Sequence, residues 1–260
     1  INTESNYKEL FLDETYDVLY AYWNGNKSNL RAENITQSFE WMSFDVVWAG
    51  MNMNIKTSLI WNFNVQNILA TIWVFMSFWM KQEEMQKALT KVWGVPGRMD
   101  EVSNLEGYKV IIDYAHTADA LKNVLSTIKS LEGVNNIYTV FWATWDRDKS
   151  KRPIMWQIVS ELSDFVILTQ DDDYSENTHE IIKDVLPGIE RKEWENFWII
   201  PDRKEAIRTA LITAEKNDVI LITGKWDEHV MVTNKWHIPW HDKTIVNEIL
   251  HDLDQHKVIV

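Results

Sequence analysis

A dense run of basic residues follows one of the apolar segments of the chain. The stretch VFWATWDRDKSKRP (residues 140–153) carries Arg147, Lys149, Lys151 and Arg152. A guanidinium group can hold a carboxylate or a phosphate through two parallel hydrogen bonds. Arg147 is therefore a candidate anion ligand, and the alternative is an exposed charged loop without a ligand.

The segment DYAHTADAL (residues 113–121) also joins an apolar run to a helical pattern. Thr117 is placed to cap that helix, and a helix N-terminus attracts phosphate. Asp113 and His116 would then lie beside the phosphate, with Asp113 in reach of a ribose hydroxyl. The alternative is that Asp113 and Thr117 do no more than cap the helix.

Acidic side chains follow two further apolar runs. TQDDDYSE contains Asp171 and Asp172, and GKWDEH contains Gly224 and Glu228. Carboxylates in such positions suit an amine or a cation, although solvated turn acids are common. No HExxH spacing and no GxxxxGK[ST] phosphate loop occurs in the sequence, so neither a zinc site of that type nor a P-loop is predicted.

The elements that must position these side chains alternate in type. Apolar, β-branched runs predict strands, and apolar residues at helical spacing predict helices between them. The predicted strands are YKVIIDYA, NIYTVFWAT, DFVILTQ, NFWIIPD and DVILITGK. The predicted helices are TADALKNVLSTIKSLEG, KRPIMWQIVSELS, NTHEIIKDVLPGI and RKEAIRTALITAEK. This alternation predicts an α/β fold with a doubly wound, Rossmann-like parallel sheet, whose ligands bind at the carboxyl ends of the strands.

Residues 1–95 have a different pattern. Short strands at YDVLYAYW, LRAENITQSFE, FDVVWA and MNIKTSLI precede two helices, one near residues 65–78 and one near residues 82–92. The Pro-Gly turn of GVPGR then separates this part from residues 96–260. We predict two domains, divided at about residue 95.

Composition narrows the function classes. The net charge is −13, which argues against a nucleic-acid partner, and the absence of cysteine excludes disulfides and thiolate metal sites. No apolar run is long enough for a membrane span. We expect a cytosolic protein without nucleic-acid or membrane partners.

Seven strings together resemble the Mur ligase family, particularly the members that add the third residue of the peptidoglycan stem peptide. The strings are NFNVQNILA, GVPGRMD, DYAHTADAL, DRDKSKRP, PDRKEAI, GKWDEH and IPWHD, in family order. The resemblance implies the end of a central ATPase domain followed by the carboxy-terminal ligase domain. It implies ATP-dependent amide formation, in which an acyl phosphate of a UDP-N-acetylmuramoyl-dipeptide is attacked by an amino acid.

The resemblance also implies residue roles. Asn64 and Asn67 resemble residues that face the nucleotide base, and Arg98, Asp113 and His116 resemble ATP contacts, with Asp113 at the ribose. The incoming amino acid would be held by a second set of residues: Arg147, Asp171, Asp172, Gly224 and Glu228. Folylpolyglutamate synthases share the fold but match the strings less well. A non-catalytic ligand-binding or inert fragment is a further alternative.

Two departures from the family pattern bear on activity. The P-loop and the Mg²⁺ ligands are expected before Ile1, so we expect this chain not to complete catalysis by itself. Members that add meso-diaminopimelate carry Asp-Asn-Pro-Arg where this chain has Asp171-Asp172-Asp173-Tyr174. Because tyrosine cannot pair with a distal carboxylate as arginine does, lysine or another amine is favoured over diaminopimelate.

The third departure concerns tryptophan. The chain has 15 tryptophans and only 8 glycines, whereas average usage predicts roughly 18 glycines. The resemblance implies glycine at Trp61, Trp142, Trp145, Trp156 and Trp226. Glycine would also fit at Trp23, Trp41, Trp48, Trp73, Trp79, Trp194 and Trp236, whereas Trp198, Trp240 and Trp93 look like ordinary aromatic positions. One hypothesis is that UGA codons are read as glycine in the source organism, and the other is a truly tryptophan-rich variant with a blocked site.

Overall fold

The computed structural model describes residues 2–3, 8–9, 21–22, 28–38, 41–59, 61–92, 94–142, 152–169, 196–225, 229–232 and 237–257. The chain divides into two compact units, Ile1–Gly94 and Val95–Val260. No helix in these ranges is long and apolar enough to cross a membrane.

The first unit contains a three-stranded antiparallel sheet and two helices. Its elements are β1 (Arg31–Gln37), β2 (Met42–Trp48), β3 (Met51–Thr57), α1 (Asn62–Ser77) and α2 (Gln82–Leu89), with strand order β1-β2-β3. Alternate residues of β2 (Met42, Phe44 and Val46) are buried in a cluster with Val65 and Leu69 of α1. The period of two on the strand and of three to four on the helix therefore explains this core. The strands predicted at LRAENITQSFE, FDVVWA and MNIKTSLI and the two helices are confirmed, although α2 ends at Leu89 rather than near Val92. Most of the predicted strand YDVLYAYW lies outside the described residues.

The second unit is built on a six-stranded sheet in the described residues. Its elements are β4 (Asp100–Val102), β5 (Lys109–Asp113), α3 (Ala118–Lys129), β6 (Ile137–Trp142), α4 (Arg152–Leu162), β7 (Phe165–Thr169), β8 (Phe197–Ile199), α5 (Arg203–Thr213), β9 (Val219–Thr223), β10 (Val230–Val232), β11 (His237–Pro239) and α6 (Asp242–Lys257). The strand order is β4-β5-β9-β6-β7-β8, and β5, β9, β6, β7 and β8 are parallel. The predicted doubly wound α/β fold is confirmed.

Helices cover the sheet on both faces. Val140 and Ile222 belong to a cluster with Ile207 of α5 and Ile249 of α6. Phe141, which points to the opposite face, contacts Trp156 of α4 edge-on at 4.7 Å between ring centroids. Burial on both faces explains why these strands are apolar throughout instead of alternating.

Several elements were not predicted from the sequence. β4 pairs antiparallel with β5 at the edge of the sheet, β10 and β11 form a small antiparallel pair, and α6 closes the described chain. The predicted helix at residues 177–189 lies outside the described residues.

Candidate functional site

The carboxyl ends of three neighbouring strands bring candidate residues together. Asp113 ends β5 and is in register with Thr223, the last residue of β9. The next backbone N–H, that of Gly224, donates to the carbonyl oxygen of Asp113 at 3.1 Å. Trp142 ends β6 on the other side of β9. Asp113 and Gly224, predicted from separate motifs, therefore lie side by side at the edge where parallel α/β sheets bind ligands.

The carboxylate of Asp113 is buried and accepts two backbone hydrogen bonds. Met99 N–H donates to Oδ2 and Ala115 N–H donates to Oδ1, both at 2.8 Å. Burial raises the pKa of Asp113, and the two hydrogen bonds and the charge of Arg98 only partly oppose that rise. The Asp113 carboxylate therefore links the GVPGRM turn to the end of β5 by hydrogen bonds. Each carboxylate oxygen retains a lone pair that could accept a hydrogen bond from a ribose hydroxyl.

Arg98, Tyr114 and His116 lie in a row of contacting side chains next to Asp113, called the stack below, in which the two rings are tilted by 44°. The guanidinium carbon of Arg98 lies 5.4 Å from the centroid of the Tyr114 ring, and the Tyr114 and His116 rings are 4.3 Å apart. His116 Nδ1 lies 3.1 Å from the Tyr114 carbonyl oxygen, which fixes the orientation of the imidazole. Arg98 is exposed, and the two rings are half-buried. The stack presents one cationic and two aromatic surfaces, which suit a nucleotide.

Thr117 is the N-cap of α3. Its hydroxyl accepts from Ala120 N–H at 3.2 Å, which leaves other N–H groups of the first turn unpaired within the helix. The capping role considered for this segment is thus confirmed for Thr117. Asp113 instead bonds to Met99 and Ala115, so it does not cap the helix.

A buried ion pair joins two of the sequence motifs to the end of β9. Arg203, the first residue of α5, donates from Nε to Asp242 Oδ1 at 2.9 Å and from Nη2 to Oδ2 at 2.6 Å. The same Nη2 donates to the carbonyl oxygen of Thr223 at 3.0 Å, and Trp240 Nε1 donates to Asp242 Oδ1 at 2.8 Å. PDRKEAI and IPWHD are therefore linked by side-chain hydrogen bonds, and Arg203 also bonds to Thr223, the residue directly before GKWDEH.

The charge balance of this cluster favours an ionised Asp242. Burial by itself would raise the pKa of Asp242, but the charge of Arg203, the hydrogen bonds from Arg203 and Trp240, and the charge of Lys225 together lower it. Lys225 is itself fully buried. Asp242 also begins α6, where the helix dipole favours a negative charge.

Trp142 covers the backbone of Gly224. A Cβ atom placed on Gly224 would overlap the Nε1 atom of the Trp142 indole. The Trp142 side chain is buried, so the indole fills the space at the ends of β6 and β9. The space that a ligand would need beside Gly224 is occupied by this ring.

The other predicted site residues are only partly placed. In the first unit, Asn67 Nδ2 donates to Asn64 Oδ1 at 3.2 Å on the first two turns of α1. Arg147, Asp171, Asp172 and Glu228 lie outside the described residues. Among the described residues, no group of three or more His, Asp or Glu side chains could hold a metal ion.

Tyr114, Arg203, Trp240 and Asp242 were not predicted as site residues. All four lie in strings that carried the resemblance, so their presence there was the available signal. Arg203, Trp240 and Asp242 hold the end of β9 in place, and such long-range pairing is not visible in local patterns.

Comparison with known proteins identifies the relatives of this fold. Residues 97–226 match the family described as "Mur ligase, glutamate ligase domain". The chain belongs to the Mur ligase family. It is 34% identical over 256 residues to a UDP-N-acetylmuramoyl-L-alanyl-D-glutamate–2,6-diaminopimelate ligase of Clostridium acetobutylicum, across 97% of this chain and 52% of that protein. It is 37% identical over 236 residues to the ligase of the same name from Bacteroides fragilis, across 90% of this chain and 48% of that protein.

Solved structures agree with this assignment. A UDP-N-acetylmuramoyl-L-alanyl-D-glutamate–2,6-diaminopimelate ligase matches with a TM-score of 0.68 and 26% identity, over 97% of this chain and 53% of that one. UDP-N-acetylmuramate–alanine ligase of Thermotoga maritima shares the fold, with a TM-score of 0.63 at 19% identity over 93% of this chain and 48% of that one. This Mur ligase chain spans about half the length of the relatives it matches.

Proposed function

We propose that this Mur ligase chain takes part in the ATP-dependent joining of an amino acid to a UDP-N-acetylmuramoyl-dipeptide, as the third residue of the peptidoglycan stem peptide. One observation carries the proposal. Asp113, the Arg98–Tyr114–His116 stack and Gly224 are connected at the carboxyl edge of one parallel sheet. The relatives named above are ligases of this type, which supports the same reaction here.

The reaction has two steps: the dipeptide carboxylate is phosphorylated, and the acyl phosphate then reacts with an amine. The γ-phosphoryl group of ATP passes to the dipeptide carboxylate, giving an acyl phosphate and ADP. The amine of the incoming amino acid then attacks the acyl carbon, an amide bond forms, and phosphate leaves with the bonding electrons. Arg98, Asp113 and His116 are the proposed nucleotide ligands in the second unit, and Asn64 and Asn67 those in the first.

Mg²⁺ is the metal that this chemistry would use to balance phosphate charge. The described residues contain no group of three or more His, Asp or Glu side chains that could hold this ion. Arg147 is proposed to hold the carboxylate of the amino acid, with Asp171, Asp172, Gly224 and Glu228 completing the pocket.

The amino acid itself is proposed to be lysine or another amine. The relatives are named for 2,6-diaminopimelate. Tyr174 stands where we expect an arginine for the distal carboxylate of diaminopimelate, and Asp171, Asp172 and Asp173 favour a cationic side chain. A direct comparison of lysine with meso-diaminopimelate decides between these two substrates.

Calorimetric titration of the purified chain tests the proposal. ATP is expected to bind, and Arg98→Ala should weaken that binding on the order of tenfold, because a hydrogen bond to a charged group is worth about 1.5–3 kcal/mol. Arg208→Ala is the matched control, since Arg208 lies on α5 in exposed ion pairs with Glu205 and Asp252. Equal ATP affinity in both variants would contradict the assigned nucleotide site.

The same titration distinguishes the proposed function from a folylpolyglutamate-synthase-like ligase and from an inert chain. Lysine, meso-diaminopimelate and glutamate are added in turn, and preference for glutamate would favour a folylpolyglutamate-synthase-like ligase, which shares the fold. Binding of neither ATP nor any amino acid, by the chain with tryptophan or with glycine at position 142, would favour an inert chain.

A further inference from the structure

Helix α1 ends in a turn motif in which glycine is the usual residue, but this chain has tryptophan at that position. Trp79 N–H donates to the Met76 carbonyl oxygen at 3.0 Å, and Met80 N–H donates to the Phe75 carbonyl oxygen at 3.1 Å. This pair of bonds defines a Schellman motif with Trp79 at its C′ position, where the left-handed conformation makes glycine the usual residue. Trp79 has φ 59° and its side chain is 92% exposed. No packing of the indole offsets this unfavourable backbone conformation.

The other end of α1 also carries tryptophan, although Trp61 has an extended backbone with φ −97° and a buried side chain. Trp61 is the N-cap, and no side-chain hydrogen bond caps the helix there. Glycine is among the favoured N-cap residues, whereas a large apolar side chain supplies no acceptor for the free N–H groups of the first turn. At Trp61 the indole therefore leaves the first turn uncapped, whereas at Trp79 the backbone conformation itself favours glycine.

Trp142 is a third case, and it lies at the candidate site. Its indole occupies the space directly over Gly224, so that no Cβ would fit at position 224. The last residues of the neighbouring strands, Asp113, Thr169 and Thr223, are polar and much smaller. Among the described parallel strand ends, Trp142 alone places a large ring beside Gly224.

Two tryptophans behave differently. Trp240 Nε1 donates to the buried carboxylate of Asp242 at 2.8 Å. Trp198 stacks on Phe165 with 5.8 Å between ring centroids and 16° between the planes. At these two positions the aromatic ring has contacts that glycine could not replace. The structure therefore places Trp198 and Trp240 in a different class from Trp79 and Trp142.

The composition of the chain supports replacement of glycine by tryptophan and not the reverse. The chain has 8 glycines and 15 tryptophans, against roughly 18 glycines expected from average usage. UGA is the codon that one genetic code assigns to tryptophan and another to glycine. We propose that Trp61, Trp79 and Trp142 are encoded by UGA and are inserted as glycine in the source organism, whereas Trp198 and Trp240 are encoded by UGG and are true tryptophans.

Glycine at position 142 would leave the candidate site beside Gly224 open. With glycine at position 142, the space over Gly224 at the ends of β6 and β9 is free for the amino acid or the phosphate of the proposed reaction. This consequence rests on the proposed function, but the codon assignment does not.

The proposal is tested by sequencing the gene and by mass spectrometry of the native protein. Gene sequencing should find UGA for residues 61, 79 and 142 and UGG for residues 198 and 240. Tryptic peptides from the native cell should then show glycine at the first three positions. Peptides 193–203 and 236–243 contain their own controls, because each pairs a glycine-type position (Trp194 or Trp236) with a true tryptophan (Trp198 or Trp240).

Each outcome decides the proposal. Glycine masses at residues 61, 79 and 142, with tryptophan retained at residues 198 and 240, support it. UGG codons or tryptophan masses at the first three positions overturn it, and glycine at residue 198 or 240 overturns the division into two classes. A failure of ATP or amino-acid binding leaves this result unchanged, so the two proposals fail separately.

Discussion

Arg203 and Asp242 form a two-pronged ion pair that is buried almost completely, with side-chain exposures of 0% and 1%. The pair joins the first turns of α5 and α6, and through the Thr223 carbonyl oxygen it also holds the end of β9. Gly224 follows directly. The position of Gly224 at the candidate site therefore depends on two side chains that lie 39 residues apart in the sequence.

Removing one partner of this pair should destabilise the fold strongly. Asp242→Ala leaves the Arg203 guanidinium buried without its carboxylate, so the free energy of unfolding should fall by about 3–5 kcal/mol. Urea unfolding followed by circular dichroism measures the change. Asp252→Ala is the control, because Asp252 makes a longer, exposed contact with Arg208 at 3.7 Å, and it should cost less than about 1 kcal/mol. Equal losses in the two variants would show that the buried pair has no special role.

The same pair predicts a pH dependence with a definite sign. The pKa of Asp242 in the folded chain lies below its ordinary value. The stability that Asp242 contributes is therefore fully present above the ordinary carboxyl pKa, and it is lost as the pH falls through the lower pKa of the folded state. Asp242→Asn cannot show this loss. The difference in unfolding free energy between wild type and Asp242→Asn should shrink on acidification below about pH 4, and a constant difference down to pH 2 would contradict the assignment.

The sequence predicted the alternating elements well because burial on both faces makes β5, β6, β7 and β9 almost wholly apolar. It did not predict β4, a three-residue edge strand whose DEV sequence has no strand pattern of its own. It also missed the order in which β9 inserts between β5 and β6, since strand order depends on contacts distant along the chain. Asp113 was predicted as a site residue from its motif, but its bonds to Met99 and Ala115 depend on tertiary structure.

The two backbone hydrogen bonds of Asp113 predict a structural cost for its removal. Asp113→Ala leaves the N–H groups of Met99 and Ala115 without their acceptor, so the unfolding free energy should fall by about 1–3 kcal/mol. Thr117→Ala, which removes only the cap of α3, should cost about 1 kcal/mol and provides a comparison in the same loop. A loss for Asp113→Ala no larger than that for Thr117→Ala would show that the turn at Met99 is held by other contacts.

Tyr114 offers a test of the stack that does not remove a charge. Tyr114→Ala takes away the ring between Arg98 and His116, whereas Tyr114→Phe keeps the ring and removes only the hydroxyl. ATP affinity measured by calorimetry should fall several-fold in Tyr114→Ala and stay near the wild-type value in Tyr114→Phe, because cation–π and stacking contacts contribute about 0.5–2 kcal/mol. Equal losses in the two variants would point to the hydroxyl instead of the ring.

The overlap between Trp142 and a side chain at position 224 predicts a coupling between the two residues. Gly224→Ala should be costly in the chain with Trp142, because the new methyl group meets the indole and because Gly224 has φ 102°. In the Trp142→Gly background only the backbone cost remains. A double-mutant cycle by urea unfolding should therefore give a coupling energy of about 1–3 kcal/mol, the usual cost of overpacking. Gly133→Ala is the control, since Gly133 also has a positive φ but nothing lies near its Cβ position, and its cost should be the same with tryptophan or glycine at position 142. Additive effects of Gly224→Ala and Trp142→Gly would mean that the indole does not lie over Gly224 in solution.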